Sequence, residues 1–477
     1  MHKILPALTV SGLLALLSAC TLVRPDQPLA VISGFNSHQL CSEVFISGLD
    51  PDQVYRERVL EMGAVHYFGS LIHYQVDRDK REVTTTVGGF YKTRGVYTGQ
   101  YGCVVMHGNE ESALLPQAAR ESLKKTMALD VAAQPDIAGP AVVEPRDTRM
   151  RAALERGFAE REQAPYIHTK AIVVLKDGKI VAERYAPGIG VDTSLLGYSS
   201  TKSVSNALVG ILVRQGKLQV GQAAPLAAWQ GQDDPRKAIT IDQLLRQTSG
   251  LALDQTNSGY DFNARMLYME HDMAGFAQTA ALKAKPGTAW DYNDGHFILL
   301  SRVIRDTLGG HASDVLGFAQ RELFGPLGMR HVTLEFDDTG TPLGADYMFA
   351  SARDWARFGQ LYLDDGVAGG KRILPPGWVK YSSTQTLDTG YGAGFWINGV
   401  SGNAPWGLPW NMPHVPVDAF YAMGFMGQHV VIVPSQRLVV VRLGVSHHRD
   451  GMVEGADRLV ADVIAALQGD AATVASK

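Results

Sequence analysis

Two β-rich hairpins lie far apart in this chain, and their separation restricts its fold more than any other feature. One pairs residues 171–175 with 180–185 across Asp177-Gly178, a dipeptide that strongly favours a tight hairpin turn. The other pairs residues 429–433 with 438–443, and the segment from about 220 to 375 between the hairpins is mostly helical. We therefore predict an α+β architecture, an antiparallel sheet flanked by helices with an inserted helical lobe. A cleft between the two lobes is the expected position of a functional site.

The rest of the chain divides into shorter segments. Residues 71–76 and 82–87 alternate like strands around a polar turn, and a helical stretch near 52–62 precedes them. We predict a small α/β module over residues 21–106. Residues 107–148 are rich in Ala, Pro and Glu and are predicted to form a linker. The helical spacing of Met150, Leu154 and Phe158 predicts a helix at the start of the large domain, which we place at residues 149–477.

The first twenty residues have the pattern of an export signal. Lys3 precedes an apolar stretch over residues 4–17, which is short for a membrane span. The run LSAC at residues 17–20 resembles a bacterial lipoprotein cleavage box, which implies that Cys20 becomes the lipidated first residue. An ordinary signal peptide cut nearby is the alternative. The resemblance implies a periplasmic protein of a Gram-negative-type bacterium, anchored by lipid, and Thr21 favours the outer membrane.

Cysteine usage and charge exclude several functional classes. The chain has three cysteines without a CxxC or Cys/His cluster, so we expect no metal site. If Cys20 carries lipid, Cys41 and Cys103 remain as a pair in an oxidising compartment, where a disulfide is expected. Lys and Arg number 44 against 48 Asp and Glu, a net charge of −4, which argues against a nucleic-acid partner.

The run SSTKS at residues 199–203 carries the strongest chemical signal. Ser199 and Lys202 are three residues apart at the start of an apolar-striped helix and therefore share a face. The positive end of the helix dipole stabilises a developing alkoxide, and an amine one turn along can hold or take the serine proton. The alternative is a Ser/Thr helix cap followed by a solvated lysine.

Five phrases extend this signal into a family resemblance. The run around Ser199 resembles the S-x-x-K nucleophile motif of serine β-lactamases and penicillin-binding proteins. Four further runs resemble phrases of class C β-lactamases, DD-peptidases and their relatives, in family order: LLRQTSGL at 244–251, WDYND at 290–294, FGPLGM at 324–329 and SARDWARFG at 351–359. The resemblance covers roughly residues 165–468. It implies the β-lactamase/transpeptidase-like fold and no metal or organic cofactor.

The resemblance also assigns the other site residues. Tyr292 is the implied base, and we expect Lys202 to favour its anion, because an isolated phenol titrates near 10. The backbone N–H groups of Ser199 and Phe425 are the implied oxyanion donors.

The chain departs from the family pattern at two motifs. Asp294 stands where an Asn usually binds a substrate amide. Ala422 and Met423 occupy positions of the third motif that normally carry Lys or His and then Thr. The following pattern, with Gly424, Gly427 and Gln428, resembles 6-aminohexanoate-dimer hydrolases and family VIII carboxylesterases. We expect these three residues and Asp294 to contact substrate.

These observations predict a serine hydrolase that cleaves small ester or amide substrates through an acyl-enzyme on Ser199. One alternative is a β-lactamase or DD-peptidase acting on penicillins or peptidoglycan peptides. Another, of a different class, is a non-catalytic binding or sensing protein that keeps the cleft. No obligate protein partner is implied, and the expected membrane contact is the lipid at Cys20.

Overall fold

The computed structural model describes residues 26–62, 69–116, 136–256, 259–402, 404, 407 and 409–475. The predicted signal peptide and Cys20 lie outside the described residues. Among the described residues, no helix combines the length and the apolar character needed to cross a bilayer.

The N-terminal module is an antiparallel sheet covered by one long helix. Helix α1 (Asp26–Phe45) is followed by α2 (Pro51–Val54), which continues as a π-helical segment, Tyr55–Leu60. The strands pair in chain order: β1 (Ile72–Asp77), β2 (Glu82–Val87), β3 (Tyr91–Tyr97) and β4 (Cys103–His107). At Gly95 the helix rests directly on β3, since a Cβ there would lie 2.2 Å from the Ser37 carbonyl oxygen. A disulfide joins Cys41 in α1 to Cys103 in β4.

The sequence patterns did not predict α1, because its polar side chains are buried rather than solvated. Gln39 donates to the Tyr347 hydroxyl at 3.0 Å, and Ser42 donates to Glu335 at 2.9 Å. Glu335 also accepts from the Cys103 N–H at 2.6 Å. The module therefore packs on the large domain through buried polar contacts. Because these buried residues are polar, α1 lacks the apolar periodicity by which a surface helix is recognised in a sequence.

The large domain contains the sheet that the two hairpins predicted. Helix α3 (Thr148–Gly157) leads into β5 (Thr169–Lys176) and β6 (Lys179–Tyr185). The C-terminal strands are β12 (Trp396–Ile397), β13 (Phe420–Gly424), β14 (Gln428–Val433) and β15 (Leu438–Gly444). The order β12-β13-β14-β15-β5-β6 is antiparallel throughout, and Val440 pairs with Val174 where the hairpins meet.

Both faces of the central strands are buried. Successive strand residues point to opposite faces, so Val439 and Val441 enter one apolar core while Val440 enters the other. Helix α11 (Ala352–Leu363) covers the first face. Helices α3 and α13 (Val453–Ala475) cover the second face.

Helices and short strands fill the segment between the hairpins, as predicted. The short strands are β7 (Leu195–Leu196), β8 (Val332–Leu334), β9 (Met348–Ala350), β10 (Val367–Ala368) and β11 (Lys371–Arg372). The helices are α4 (Thr201–Arg214), α5 (Ile241–Leu245), α6 (Phe262–Met269), α7 (Met273–Ala277), α8 (Gly295–Leu308), α9 (Ala312–Ala319), α10 (Gly325–Leu327) and α12 (Trp378–Ser382). The start of α4, the start of α8 and the loop before β9 converge beside the sheet.

The described part of the predicted linker lies along the outer strand of the sheet. The Ile180 N–H donates to the Ile137 carbonyl, and the Glu183 N–H donates to the Val143 carbonyl, both at 2.9 Å. Residues 136–147 thereby satisfy backbone groups of the edge strand β6, which would otherwise be open to pairing with another chain.

Candidate active site

A tight turn presents Ser199 at the start of α4. Residues Tyr198–Ser200 form a 3₁₀ turn, preceded by Gly197, where a Cβ would lie 2.3 Å from the Trp355 ring. Ser199 is half-buried, whereas the other hydroxyl-bearing residues of this fully described run are at most 3% exposed: Ser200, Thr201, Ser203 and Ser205. Within residues 199–205, Ser199 therefore carries the hydroxyl that a substrate can reach.

Lys202 lies beneath this hydroxyl and is not solvated. Its side chain is 1% exposed, and Nζ donates to Ser199 Oγ at 2.8 Å. Nζ also donates to Asp294 Oδ1 at 2.5 Å and to the Ala345 carbonyl at 3.1 Å. These three bonds use every proton of the ammonium group. The alternative of a helix cap followed by a solvated lysine is wrong for Lys202.

The charge of Lys202 follows from its carboxylate neighbours. Burial disfavours the ammonium, but the charges of Asp294 and Asp346 outweigh it and raise the pKa of Lys202 above its ordinary value. Lys202 is therefore a cation at neutral pH and donates to Ser199. In this state it holds the serine oxygen in place and stabilises negative charge there.

Asp294 does not have the position predicted for it. Its side chain is 3% exposed, Oδ1 accepts from Lys202, and Oδ2 accepts from Asn263 Nδ2 at 2.7 Å. Burial opposes ionisation, yet the Lys202 charge lowers the pKa of Asp294. Asp294 is the counter-ion of Lys202, and its buried, bonded oxygens leave no room for a substrate contact. Sequence reasoning assigned it to substrate because the family's Asn at this position binds an amide.

Tyr292 lies beside Lys202 in a neutral state. The Lys202 Nζ is 5.0 Å from the centre of its ring, and the phenol is 8% exposed. Burial raises the pKa of Tyr292, although the Lys202 charge and a hydrogen bond with Ser199 act in the opposite direction. The Lys202 charge therefore favours the anion in the expected direction, but burial has the larger effect on the pKa of Tyr292. A neutral phenol is a proton donor.

Asp346, a carboxylic acid that sequence reasoning missed, contacts the serine hydroxyl directly. The Ser199 hydroxyl donates to Asp346 Oδ1 at 2.9 Å, and the same oxygen is 3.6 Å from Lys202 Nζ. Burial and the charge of Asp294 raise the pKa of Asp346 to about 8, and a hydrogen bond between the two carboxyl groups favours a proton on Asp346. Asp346 precedes the family phrase at 351–359 and belongs to no motif, so only its spatial position identifies it.

The strand that carries the third motif contacts the serine turn through backbone. A Cβ on Gly424 would lie 2.1 Å from the Gly197 carbonyl oxygen. The next residue, Phe425, is 49% exposed, and its ring meets Tyr198 edge-on at 5.6 Å. The segments that carry the implied oxyanion donors, the Ser199 and Phe425 N–H groups, are thus in direct contact.

Gln428 and Gly427 stabilise the turn that contains Phe425 through buried contacts. Gln428 is 1% exposed, and Nε2 donates to the carbonyl oxygens of Phe425 at 2.9 Å and Gly444 at 2.7 Å. Gly427 has φ of +85°, and a Cβ there would lie 2.1 Å from the Gly451 carbonyl oxygen. The prediction that Gln428 and Gly427 contact substrate is therefore wrong, because both residues are buried in contacts that stabilise the turn. Gly424 was also predicted to contact substrate, but it packs against the Gly197 carbonyl oxygen of the serine turn.

The N-terminal module reaches the same two segments through Arg58, another residue that sequence reasoning missed. Its Nη1 donates to the Tyr198 hydroxyl at 3.2 Å and lies 3.7 Å from Met426 Sδ. Its Nη2 is 2.7 Å from Glu43, and both side chains are at most 4% exposed. Arg58 thus joins the residue before the nucleophile to the residue after Phe425.

Comparison with known proteins places this site in a family. Residues 154–465 match the family model described as Beta-lactamase. A 6-aminohexanoate-dimer hydrolase from Paenarthrobacter ureafaciens is 26% identical over 230 residues, which are 44% of this chain and 56% of that protein. The match therefore spans little more than half the length of this curated relative.

Two solved structures share the fold. A penicillin-binding protein homologue from Caulobacter crescentus superposes with a TM-score of 0.51 and 18% identity, over 68% of this chain and 99% of that one. A family VIII carboxylesterase superposes with a TM-score of 0.50 and 16% identity, over 68% of this chain and 98% of that one. The family match covers more than half of the chain and contains Ser199, Lys202 and Tyr292, so this protein belongs to the beta-lactamase family.

Proposed function

We propose that this protein is a serine hydrolase that cleaves small ester or amide substrates through an acyl-enzyme on Ser199. The observation that carries the proposal is the bond from the buried Lys202 ammonium to the accessible Ser199 hydroxyl, 2.8 Å long, at the start of α4. The cation and the helix N-terminus both stabilise negative charge on the serine oxygen.

The site supports a two-step reaction. Ser199 Oγ attacks the substrate carbonyl, and the backbone N–H groups of Ser199 and Phe425 stabilise the oxyanion. Tyr292, a neutral phenol, donates a proton to the leaving group as the acyl-enzyme forms. Water then attacks the acyl carbon and releases the acid.

Substrates without a carboxylate fit the site best. Lys202 uses its protons on protein groups, and the third motif offers the buried Ala422 and the half-buried Met423 in place of a cation. Met423 packs against the second apolar core of the sheet, to which Tyr292 belongs. These apolar surfaces favour a short, uncharged acyl chain.

We expect p-nitrophenyl butyrate to be hydrolysed with a kcat/KM at least about tenfold above that of nitrocefin, because no charge-assisted bond awaits the β-lactam carboxylate. Steady-state kinetics on both substrates measure this ratio. A matched control is p-nitrophenyl hydrogen succinate, which keeps the leaving group and adds a carboxylate to the acyl chain, and which should be the poorer ester. Tenfold preference for nitrocefin, about 1.4 kcal/mol in the transition state, would contradict this substrate assignment.

We further propose that the protein works outside the cytoplasm, anchored by lipid at Cys20. The buried Cys41–Cys103 disulfide, which closes a separation of 62 residues, supports an oxidising compartment.

In membrane-fraction protein we expect a lipidated Cys20 and a bonded Cys41–Cys103 pair. Removal of the disulfide in Cys41→Ala/Cys103→Ala should lower the free energy of unfolding by roughly 2 to 4 kcal/mol. Mass spectrometry of unreduced peptides and urea unfolding are the measurements. Free thiols or an unmodified Cys20 in that fraction would count against the proposal.

A further inference from the structure

We infer that Arg58, in the N-terminal module, is a positioning residue for hydrolysis at Ser199. It holds the residue before the nucleophile and the residue after Phe425 in fixed relative positions, so the large domain depends on the module for its full rate. This inference rests on the proposed function and concerns a part of the chain that lies outside the family match.

The two residues that Arg58 contacts both have an unusual backbone conformation. Tyr198 has φ of +44° and Met426 has φ of +58°, in the left-handed region that residues with a side chain rarely adopt. Such a conformation persists only where surrounding contacts hold it. Tyr198 forms the peptide bond that carries the Ser199 N–H, and Met426 follows Phe425 directly. The conformations of these two residues therefore affect where the segments with both implied oxyanion donors lie.

One guanidinium nitrogen reaches both of these residues. Arg58 Nη1 donates to the Tyr198 hydroxyl at 3.2 Å and lies 3.7 Å from Met426 Sδ. The Tyr198 hydroxyl is 3.7 Å from the same sulfur, so the three side chains contact one another pairwise. Each of the three residues is at most 5% exposed, so bulk water does not compete for these contacts. The cluster joins the serine turn to the turn after β13.

Helix α1 of the module fixes the other end of the guanidinium. Arg58 Nη2 lies 2.7 Å from Glu43, whose side chain is fully buried. A guanidinium presents its donors in a rigid planar fork, so the contact with Glu43 orients Nη1 toward Tyr198. A lysine ammonium is a point charge and could not join the same groups in one fixed geometry. Helix α1 adds a second contact, because the Tyr198 hydroxyl lies 3.3 Å from Gln39 Oε1.

The π-helical segment that carries Arg58 is itself held on the large domain. The Glu57 carboxylate lies 2.6 Å from Lys170 Nζ on β5, and the two side chains are 16% and 8% exposed. The Glu57 carbonyl oxygen also accepts from His447 Nε2 at 2.6 Å, just after β15. Arg58 therefore extends toward the serine turn from a segment whose side chain and backbone are both anchored beside the sheet.

The test removes the Arg58–Glu43 pair from the full chain and measures the chemistry per folded active site. Arg58→Met/Glu43→Gln takes away both charges, so no unpaired buried carboxylate is left to unfold the protein. We expect kcat for p-nitrophenyl butyrate to fall by about 10- to 100-fold, because a small misplacement of catalytic groups has an effect of this size. KM should change by less than about threefold, since the oxyanion donors act in both acylation and deacylation. The final extent of fluorophosphonate labelling gives the concentration of active sites.

A double-mutant cycle tests whether Arg58 acts through Tyr198. Tyr198→Phe removes the hydroxyl that accepts from Arg58 and should lower kcat by about three- to tenfold in the wild-type background. In the Arg58→Met/Glu43→Gln background the same change should cost less than about twofold, since the bond is already absent. Equal losses in the two backgrounds would overturn the inference. If Arg58→Met/Glu43→Gln does not fold, Arg58→Lys takes its place in the cycle, because it keeps a cation beside Glu43 and loses the fork.

Arg94→Met/Glu82→Gln is the matched control. This ion pair also lies in the N-terminal module, at 3.0 Å, with side chains that are 13% and 18% exposed, but it joins β3 to β2 within the module's own sheet. The control should keep kcat within about twofold of the wild-type value. A folded Arg58→Met/Glu43→Gln enzyme that also keeps kcat within about twofold would overturn the inference alone, whatever stability it loses in urea. A wild-type protein that neither hydrolyses esters nor reacts with a fluorophosphonate would overturn the proposed function as well.

Discussion

Ser199→Ala is expected to abolish covalent labelling by a fluorophosphonate and to lower ester turnover by about 10⁴-fold or more. The reason is positional. The Ser199 hydroxyl is the accessible one in its run, and it bonds both the Lys202 ammonium and the Asp346 carboxyl. No neighbouring hydroxyl can replace it, because Ser203 is buried and donates to the Gly394 carbonyl at 2.6 Å.

Mass spectrometry of the labelled peptide measures this outcome. Ser200→Ala is the matched control, since the Ser200 hydroxyl is fully buried and has no hydrogen-bond partner among the described residues. Ser200→Ala should keep both labelling and turnover. An adduct on Ser200 or Ser203 in the wild type would refute the assignment of the nucleophile.

Lys202→Met is expected to lower both activity and stability. Removing one partner of a fully buried ion pair leaves the Asp294 carboxylate uncompensated, which costs about 3 to 5 kcal/mol of unfolding free energy. Turnover should fall by about 10²-fold or more, because the serine oxygen loses the cation that stabilises its charge. Urea unfolding followed by circular dichroism, together with labelling rates, measures the two effects.

A second variant separates stability from chemistry. Lys202→Met/Asp294→Asn removes both charges with little change in shape, so most of the lost stability should return while the activity stays low. Equal stability of the single and double variants would mean that the two side chains are not coupled. Recovery of activity in the double variant would mean that the ammonium is not needed for acylation.

The sheet could be predicted from the sequence, whereas helix α1 and the role of Arg58 could not. The sheet could be predicted because Asp177-Gly178 and the alternating residues of both hairpins are local signals of strand pairing. Helix α1 could not, because its buried polar residues find partners such as Tyr347 and Glu335, which lie about 300 positions away. Arg58 was missed for the same reason, since its partner Tyr198 lies 140 positions along the chain.

The sequence by itself determined the nucleophile and the family, because the spacing of Ser199 and Lys202 is a property of one helix turn. Only the tertiary structure decided the charge states around that nucleophile. Asp294 and Asp346 come from positions 92 and 147 residues away from Lys202 and Ser199, respectively. Protonation depends on burial and on neighbouring charges, and both arise when distant segments pack together. For this reason, the residues whose pattern predicts a lysine and tyrosine relay become, in the folded protein, an ammonium and a neutral phenol, beside a carboxyl group that is bonded to the serine.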